Sequence, residues 1–527
     1  MNKAEKVIFF VLLCVSVIGL SAQSKDNVPA KKTKVYLEHA NTLSFDKAFM
    51  PDVQVLNGDV CFRHDSSYMY CDSAYFYEQT NSLEAFSNVR MEQGDTLFVY
   101  GNYLHYDGNT QMARLRENVR MENRPDSVTL FTDSLNYDRV ANIGYYFNGG
   151  LIVDMENELS SFYGQYAPST KMTVFNDSVR LVNPKFTLYS DTLQYNTESK
   201  IATILGPSTI VSDSGTVYTS RGWYNTVENT SLLLDRSKVV SGSKILIGDS
   251  ISYNRGMSYG EAFGNVFLQD TTQKVMLLGN YAYYNEKDGS ALATDSAQFI
   301  EFSQKDSLFL HADTLRMITI DSTAREIKAY YGVRFYRVDL QGVCDSMQFN
   351  TKDSVLNMYK NPVLWNEQYQ LYGDTIEVYM NDSTIDHAHV KQFAFAVQHV
   401  DSMYYNQLKG NDLKARFEGK ELRQIEVSGS AESIFYPLED DGSKVGLNET
   451  KSGFLTMWIK ENKLDKLLLL TNPVGSITPI PDIDPSKKTL KDFYWFDYLR
   501  PQNKEDIFKV VERKAQDVPK RSNKFVH

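Results

Sequence analysis

The stretch Asp133-Ser134-Leu135-Asn136-Tyr137-Asp138 decides the fold, because the chain repeats it at regular intervals. Other clear copies are Asp191-Thr192-Leu193-Gln194-Tyr195-Asn196, Asp249-Ser250-Ile251-Ser252-Tyr253-Asn254 and Asp345-Ser346-Met347-Gln348-Phe349-Asn350. Copies of this phrase begin at 41, 72, 102, 133, 164, 191, 220, 249, 280, 313, 345, 374 and 411, at intervals of 27 to 37 residues. So steady a period indicates one supersecondary unit repeated along the chain.

The third and fifth positions of the phrase are apolar, and the residues between them are mostly polar. Alternation with period two places these side chains on one face of a β-strand. The leading Asp or Asn, together with Ser, Thr or Gly, is typical of a turn. The positions that we expect to face inward are Leu43, Phe45, Leu104, Tyr106, Leu135, Tyr137, Leu193, Tyr195, Ile251, Tyr253, Leu315, Met317, Met347 and Phe349.

A second strand signal follows each phrase, often directly after Gly or Asn. Examples are Gly58-Asp59-Val60-Cys61-Phe62, Asn88-Val89-Arg90-Met91 and Gly264-Asn265-Val266-Phe267-Leu268. One repeat is therefore read as two strands joined by turns, and thirteen repeats predict an all-β chain of about 26 strands. The copy at 164 contains Pro168, which predicts a bend or an edge there.

The first 22 residues are typical of a cleavable export signal, because Lys3 and Lys6 precede the apolar run 7–20 and small residues follow it. The formal net charge is −11. Removal of the signal takes away two lysines and one glutamate, which makes the charge −12. An acidic exported chain with no basic stripe is a poor candidate for binding nucleic acid.

The chain shows no residues arranged for catalysis. We find no glycine-rich phosphate loop, nucleophile elbow or His-Glu metal motif, so we expect no enzyme activity and no cofactor. His387 and His389 are two residues apart but lack further ligands in sequence, so no metal site is predicted. Cys61 and Cys71 could pair across neighbouring strands, or they could be buried thiols like Cys344; both options stay open.

The alternation of Asp-Ser/Thr-Leu-x-Tyr-Asn/Asp with Gly/Asn-x-Val-x-apolar resembles the OstA-like family over roughly residues 35–440. These periplasmic lipopolysaccharide-transport proteins include the LptA-like soluble bridge and the periplasmic domain of the translocon LptD. The tail segments Asn472-Pro473-Val474-Gly475 and 495–501 resemble the version found in Bacteroidetes.

The resemblance implies an elongated, repetitive antiparallel β-jelly-roll, also called a β-taco. Two sheets face each other in a V, and the apolar cleft between them holds the acyl chains of lipopolysaccharide. It also implies edge-strand pairing with other jelly-roll transport proteins of the inner- and outer-membrane complexes. The expected location is the periplasm, with association with the outer membrane left open.

The predicted organisation is a signal peptide at 1–22, the N-terminal part of the jelly-roll at 35–190, continuing repeats at 191–440, and terminal strands, a Pro-rich segment and a short helix or tail at 441–527. The functional hypothesis is a non-enzymatic lipid carrier that serves outer-membrane assembly. Two alternatives stay open: a parallel β-solenoid, such as an adhesin, and a structural envelope protein whose inward residues form a closed core.

Overall fold

A computed structural model describes residues 33–517, except for 304, 322–323, 382–383, 420, 440–441 and 462. The predicted signal peptide and residues 518–527 lie outside the described residues. Within the described part, no helix has the length and apolar character needed to cross a membrane.

Forty β-strands account for most of the described residues. The first twenty are β1 (Tyr36–His39), β2 (Thr42–Phe45), β3 (Gln54–His64), β4 (Ser67–Tyr77), β5 (Ser82–Gln93), β6 (Leu97–Asp107), β7 (Met112–Asn123), β8 (Val128–Asp138), β9 (Ile143–Tyr146), β10 (Gly150–Asp154), β11 (Asn157–Ser161), β12 (Tyr163–Ala167), β13 (Met172–Asn183), β14 (Phe186–Asn196), β15 (Ile201–Ile204), β16 (Ser208–Ser212), β17 (Gly215–Thr219), β18 (Arg221–Asn225), β19 (Thr230–Leu234) and β20 (Ser237–Ser241).

The remaining strands are β21 (Lys244–Gly248), β22 (Ser250–Asn254), β23 (Tyr259–Asp270), β24 (Val275–Asn285), β25 (Ser290–Thr294), β26 (Gln298–Glu301), β27 (Leu308–His311), β28 (Thr314–Thr319), β29 (Arg325–Arg337), β30 (Leu340–Asn350), β31 (Val355–Tyr359), β32 (Val363–Asn366), β33 (Tyr369–Tyr372), β34 (Thr375–Asn381), β35 (Thr384–His399), β36 (Tyr405–Glu418), β37 (Glu421–Phe435), β38 (Gly446–Lys460), β39 (Lys463–Leu470) and β40 (Val474–Pro479). Five short 3-10 helices follow, at Ile480–Asp482, Pro485–Lys487, Asp497–Leu499, Asp506–Phe508 and Ala515–Asp517.

The chain divides into two compact units. The first unit comprises the residues up to Ile152 together with Gln165–Ser169, and the second comprises Val153–Gly164 and the chain from Thr170 onward. The irregular copy of the phrase at 164 lies at this division.

The long strands bend at mid-length. β5 pairs with β6 on both sides of Ser87 and Asn88, where the register shifts. These two residues have left-handed backbone, with φ of 61° and 49°. Extra residues in one strand of an antiparallel pair bend that strand. We call each such bend a corner. Left-handed pairs recur at Gly58-Asp59, Ser87-Asn88, Glu117-Asn118, Asn148-Gly149, Asp177-Ser178, Asp235-Arg236, Gly264-Asn265, Asp295-Ser296, Lys360-Asn361, Gln392-Phe393, Gly429-Ser430 and Thr471-Asn472.

The corners separate two sheets. In the second unit, β14 pairs with β15 through one half and with β16 through the other. β15, β18, β19 and β22 then form one antiparallel ladder, β16, β17, β20 and β21 form a second, and both ladders end on the bent strand β23. We call the ladder that carries the third and fifth phrase positions the phrase sheet, and the other ladder the opposite sheet; the halves of the bent strands are assigned in the same way.

The predicted all-β, antiparallel fold class is confirmed, and the parallel solenoid alternative is wrong, because the paired strands run antiparallel. The predicted number of about 26 strands is also wrong. In the second unit the corners interrupt the bent strands, so that one bent strand becomes two short ones. The predicted C-terminal helix is limited to short 3-10 turns such as Asp506–Phe508.

The leading Asp of the phrase lies at a corner rather than at a chain reversal, which corrects the turn prediction. Asp133 lies inside β8, and its Oδ1 accepts a hydrogen bond from the backbone N–H of Asn118 at 3.2 Å. Asp249 Oδ2 likewise accepts from Nδ2 of Asn265 at 2.8 Å. Short polar side chains and glycine tolerate left-handed backbone best, so the same residue types mark turns and corners.

Residues 480–517, which we call the strap, pack on the outer face of the opposite sheet in the second unit. Phe496 and Leu499 are buried against Trp365, Tyr372 and Phe395. Three buried glutamines hold the strap by hydrogen bonds. Their contacts are Gln341 Oε1 with Arg500 Nε (2.8 Å), Gln370 Nε2 with the Tyr494 carbonyl (2.9 Å) and Gln407 Nε2 with the Lys488 carbonyl (2.8 Å).

The three described cysteines are free thiols. In the β3–β4 pair, Cys61 lies opposite Tyr70 and Cys71 lies opposite Val60. Neighbouring residues of a strand point to opposite faces, so the two thiols cannot reach each other and the pairing hypothesis is wrong. Burial raises the pKa of Cys71 to about 12, which leaves this thiol protonated and unreactive.

Candidate functional site

The inner faces of the two sheets meet directly in the first unit. Leu104, Tyr106, Leu135 and Tyr137 of the phrase sheet are fully buried. A methyl group added at Gly144 of the same sheet would lie only 3.4 Å from Met121 Sδ of the opposite sheet. These inner faces therefore form a closed core. Buried partners from the opposite sheet are Val60, Phe62, Met69, Val89, Met91, Val99, Val119, Met121, Val128 and Leu130.

Tyrosines close the first unit on the side away from the corners, which we call the mouth. Tyr106 Oη lies 2.5 Å from His64 Nδ1, and Arg139 donates to the same oxygen at 2.5 Å. Tyr137 Oη donates to Gln93 Oε1 at 2.8 Å. His64 and Gln93 end strands of the opposite sheet, so each bond crosses the mouth. We call such a cross-sheet bond a latch.

A further latch of the first unit joins Tyr166 Oη to Nδ2 of Asn123 at 2.7 Å. The second unit begins with a latch of its own. Tyr195 Oη donates to Asp154 Oδ2 at 2.7 Å and accepts from Asn157 Nδ2 at 3.1 Å. Burial and the Asp154 carboxylate raise the pKa of Tyr195, so its hydroxyl stays protonated and donates.

The Asp154 carboxylate of this latch is also fully buried and is neutralised by Lys200, whose Nζ lies 2.7 Å away. One repeat later, the ring of Tyr224 lies 4.6 Å from that of Phe186, again across the mouth. The start of the second unit is thus closed by a hydrogen-bonded latch and a ring contact.

Within the described residues, latches made by tyrosine end beyond Tyr224; an exposed hydrogen bond from Arg325 to Gln273 Oε1 crosses the mouth further along. Tyr253 is 38% exposed and Tyr284 is 39% exposed. For Tyr253, the described residues provide no hydrogen bond across the mouth. Tyr284 has only an exposed contact, in which the Lys244 ammonium lies 5.5 Å from its ring centroid. The mouth of the second unit is therefore less firmly held here than at Tyr195.

Several apolar residues on the inner faces of this part are only half-buried, and we call this part, from β19 onward, the open section. They pack on a core that contains Leu233, Ile251 and Ala262. The half-buried residues of the open section include Val239, Leu246, Leu277, Phe299, Leu308, Leu340, Leu356, Leu371 and Met380. An apolar side chain that stays half-exposed on an inner face leaves area that a second apolar group can cover.

A row of small residues lies on the inner face of the phrase sheet in the open section. Ala262, Ala282 and Ala293 follow one another across three neighbouring strands of the phrase sheet, on the row that continues from Ile251. In the first unit, the equivalent row carries Leu104, Leu115 and Leu135 on three neighbouring strands, and it carries Ala74 and Ala85 on the two strands before them. The three alanines of the open section are all buried, with exposed fractions of 2%, 9% and 0%.

The predicted inward positions thus fall into three groups. Leu104, Tyr106, Leu135, Tyr137, Leu193 and Tyr195 are fully buried, and Ile251, Leu315 and Met347 nearly so. Tyr253 is exposed, and Met317 and Phe349 are half-buried in the second unit. Leu43 and Phe45 are more than half exposed, because β2 pairs only with β3 among the described residues. Whether these side chains contact lipid stays a prediction.

Both ends of the described chain present edge strands. β1 and β2 pair with β3, and β39 and β40 pair with β38; the described residues provide no further neighbour for any of the four. Apolar side chains are exposed on these strands. They include Tyr36, Leu43, Phe45, Leu468, Leu470, Val474 and Ile477. Edges of this kind are available for pairing with another sheet.

The described residues contain no group of three or more His, Cys, Asp and Glu that could hold a metal ion. His387 lies in β35, 2.7 Å from Asp386 and stacked on Tyr379. His389 Nε2 lies 3.4 Å from Asp412 Oδ1. Both histidines are half-buried strand residues rather than turn residues.

Comparisons with known proteins agree with the sequence pattern. Residues 32–191 match the family model described as OstA-like protein. No curated protein matches the chain. A crystal structure of LptH, described as the LptA homologous periplasmic component of the conserved lipopolysaccharide transport device from Pseudomonas aeruginosa, is similar at 12% identity and a TM-score of 0.20, over 22% of this chain and 81% of that chain. A TM-score this low carries no argument, so the assignment depends on the family model. Residues 32–191 are therefore similar to the OstA-like protein family.

Proposed function

We propose that the protein is a non-enzymatic periplasmic carrier, which holds the acyl chains of lipopolysaccharide between its two sheets during outer-membrane assembly. The observation that carries this proposal is the row of half-buried apolar residues on the inner faces of the second unit. The OstA-like match over residues 32–191 supports it.

The physical basis is the burial of hydrocarbon. An acyl chain of about a dozen methylenes gains roughly 10 kcal/mol when it leaves water, at ~0.8 kcal/mol per methylene. Release into water is then slow. Movement along a groove whose apolar wall repeats costs much less, because equivalent contacts are remade at each step. In this proposal, Ile251, Tyr253, Leu315, Met317, Met347 and Phe349 line the groove in the second unit.

The exposed edge strands indicate how the protein would bind its partners. We propose that β1 and β2 at one end, and β39 and β40 at the other, pair with the sheets of other jelly-roll transport proteins. Strand addition satisfies backbone groups that an edge leaves unpaired, and it covers exposed apolar side chains such as Phe45 and Ile477. Edge pairing at β39 and β40 would extend the groove of the second unit into the next protein, whereas pairing at β1 and β2 would attach the first unit to its partner.

Site-specific photo-crosslinking tests the carrier proposal. A photoreactive phenylalanine replaces Tyr253, and the matched control replaces Ser252, its neighbour on the other face of β22. We expect lipopolysaccharide adducts at 253 and none at 252 when the exported protein is irradiated in cells. Equal labelling of the two positions, or labelling of neither, would contradict the proposal.

A structural envelope protein is the second candidate, because the closed core of the first unit fits a purely structural role. If the protein is a structural envelope protein, no lipid should copurify with it and no inner position should be labelled. The experiment at 253 and 252 therefore separates the two candidates.

A further inference from the structure

The two units differ in how fully their inner faces are buried and in the bonds that cross the mouth. This difference bears on where lipid binds. The first unit has latches at Tyr106, Tyr137 and Tyr166, and the second begins with a latch at Tyr195. Beyond Tyr224 the described residues show no tyrosine latch; the mouth is crossed there by an exposed hydrogen bond from Arg325 to Gln273 Oε1, and several inner-face residues such as Leu246 and Leu277 are only half-buried.

We propose that acyl chains bind only in the open section of the second unit, from β19 onward, and that the latches keep the inner faces of the first unit and of β14 and β15 shut to lipid. The inference rests on the proposed carrier function and gives it a location. It assigns the latch tyrosines a closing role, whereas the sequence pattern alone places them in the lipid cleft.

Opening a latched stretch is costly. The hydroxyl of Tyr195, the Asp154 carboxylate and the Asn157 amide are buried together. A buried polar group that loses its partner pays its desolvation cost. Separation of the sheets would also expose apolar pairs that are fully covered, such as Leu135 beside Gly144 and Met121. Lipid binding there would have to offset both costs.

Both costs are smaller in the open section, where the mouth contacts are exposed and several inner-face residues are only half-buried. Tyr253 is already exposed, and the contact of Lys244 with the ring of Tyr284 lies in solvent, where such contacts are weak. Leu246, Leu277 and Phe299 are only half-buried where they pack against the core that contains the alanine row at 262, 282 and 293. An acyl chain that enters at this mouth would cover apolar surface that is partly exposed to solvent in the unbound protein.

Two covalent staples test the inference in the full-length protein. The first variant, Lys244→Cys with Tyr284→Cys, is bridged by a short bis-maleimide across the open mouth. The matched variant, Gln93→Cys with Tyr137→Cys, is bridged across a latched mouth. Both carry Cys61→Ser, which removes the half-buried native thiol. The readout is the amount of lipopolysaccharide retained by the purified protein, before and after stapling.

We expect the 244/284 staple to reduce retained lipid by about tenfold or more, as the mouth is fixed shut, and the 93/137 staple to leave it unchanged. A comparable loss with the 93/137 staple would overturn the inference, and so would full binding with the 244/284 staple. If the unstapled protein retains no lipid, the carrier function itself fails, which is a different outcome.

Hydrogen exchange gives a readout that needs no substitution in a latch. Addition of lipopolysaccharide to the unmodified protein should slow exchange in 244–254 and 275–285, and it should leave 97–107 and 128–138 unchanged. Protection in the latter two ranges alone would place lipid in the first unit and overturn the inference. This measurement also serves if a stapled variant fails to fold.

Discussion

At the scale of single residues, one hydroxyl group decides whether the two sheets are tied together. Tyr195 reaches from the phrase sheet to Asp154 and Asn157. Replacement of Tyr195 by Phe keeps the ring but removes the hydroxyl, so the buried Asp154 carboxylate and Asn157 amide each lose one hydrogen bond. We expect the free energy of unfolding to fall by ~1–3 kcal/mol. Urea unfolding of the full chain measures it.

Tyr189→Phe is the matched control, because Tyr189 lies in the same strand but is exposed on the outer face. We expect its effect to stay within about 0.5 kcal/mol. Equal effects of the two substitutions would show that the latch contributes nothing.

The latch at Tyr106 should depend on pH. Burial lowers the pKa of His64, Arg139 lowers it further, and Asp65 opposes both. A histidine whose pKa is lower in the folded state favours folding above its unfolded pKa of about 6.5, and this contribution is lost as the pH falls below that value. We expect faster amide exchange in 54–64 at acidic pH, after correction for intrinsic rates.

His64→Gln should remove this acid sensitivity of the first unit, because glutamine cannot take up a proton in this range. Exchange in the second unit at 186–196 should be unaffected by the substitution. An acid response that persists in the His64→Gln variant would contradict this role of His64.

The sequence could predict that the fifth phrase position faces inward, because alternation with period two needs only the phrase itself. It could not predict which tyrosines form latches. The partners His64, Gln93 and Asp154 come from 41 to 44 residues earlier in the chain and follow no shared residue type. Only the pairing register brings them to the mouth.

At the scale of secondary-structure elements, the fold depends on the corners, which bend the strands and separate the two sheets. Gly264 has φ of +71°, and a Cβ at this position would lie 2.5 Å from the Asp249 carboxylate. Gly264→Ala therefore meets both a backbone penalty and a contact with the side chain that ties the corner. We expect a loss of about 2–3 kcal/mol, measured as a lower midpoint of unfolding.

Gly242→Ala distinguishes the cost of left-handed backbone from the cost of the contact with Asp249. Gly242 has φ of +55° at the turn between β20 and β21, and its Cβ would meet nothing within 4 Å. We expect the backbone penalty alone, about 1 kcal/mol. A result in which Gly242→Ala costs as much as Gly264→Ala would show that the contact with Asp249 is unimportant.

The strap makes a second prediction at this scale. Gln370 is fully buried and bonds to Trp365 Nε1, to the Tyr494 carbonyl and to the Phe496 N–H. Gln370→Leu leaves these three groups buried without that partner, so we expect a loss of about 3 kcal/mol or more. Limited proteolysis should then cut within 488–500 more readily.

Gln502→Leu is the control for the strap, since Gln502 is exposed. It should leave the cleavage rate unchanged. Resistance of the Gln370→Leu variant to proteolysis would show that apolar packing alone holds the strap.

Elements also show where sequence reasoning fails. The motif Gly264-Asn265-Val266 predicted the start of a strand, whereas the structure has a corner inside β23. Turns and corners both need residues that accept left-handed backbone, so a local pattern cannot distinguish them. The strap was read as an extended proline-rich segment, because nothing in 480–517 indicates that the distant Gln341, Gln370 and Gln407 bind it.

At the scale of the whole molecule, the repeat predicted the fold class but not the difference between closed and open inner faces. The phrase has the same apolar character at Leu135 and at Ile251. What differs is the pairing partner, which is Leu115 for the first residue and Ala262 for the second. The packing of the inner face thus also depends on residues outside the phrase, such as Ala262.

Edge pairing gives the prediction at this scale. Val474→Lys with Ile477→Lys adds charge to the exposed edge strand β40, and charged side chains on an edge discourage pairing. We expect less crosslinking to partner proteins in the cell envelope, with lipid adducts at 253 retained. Val227→Lys, at an exposed turn of the second unit, should change neither result. Unaltered crosslinking of the double variant would exclude this edge.

The corners have a consequence for how such a protein evolves. Several bends are made by two adjacent residues and tied by a side chain of the neighbouring strand, as at Gly264-Asn265 and Asp249. A gene duplication that copies one repeat therefore copies a complete bend with its own tie. Natural variation in the length of this protein should then occur in steps of one repeat, with insertions and deletions of about 31 residues.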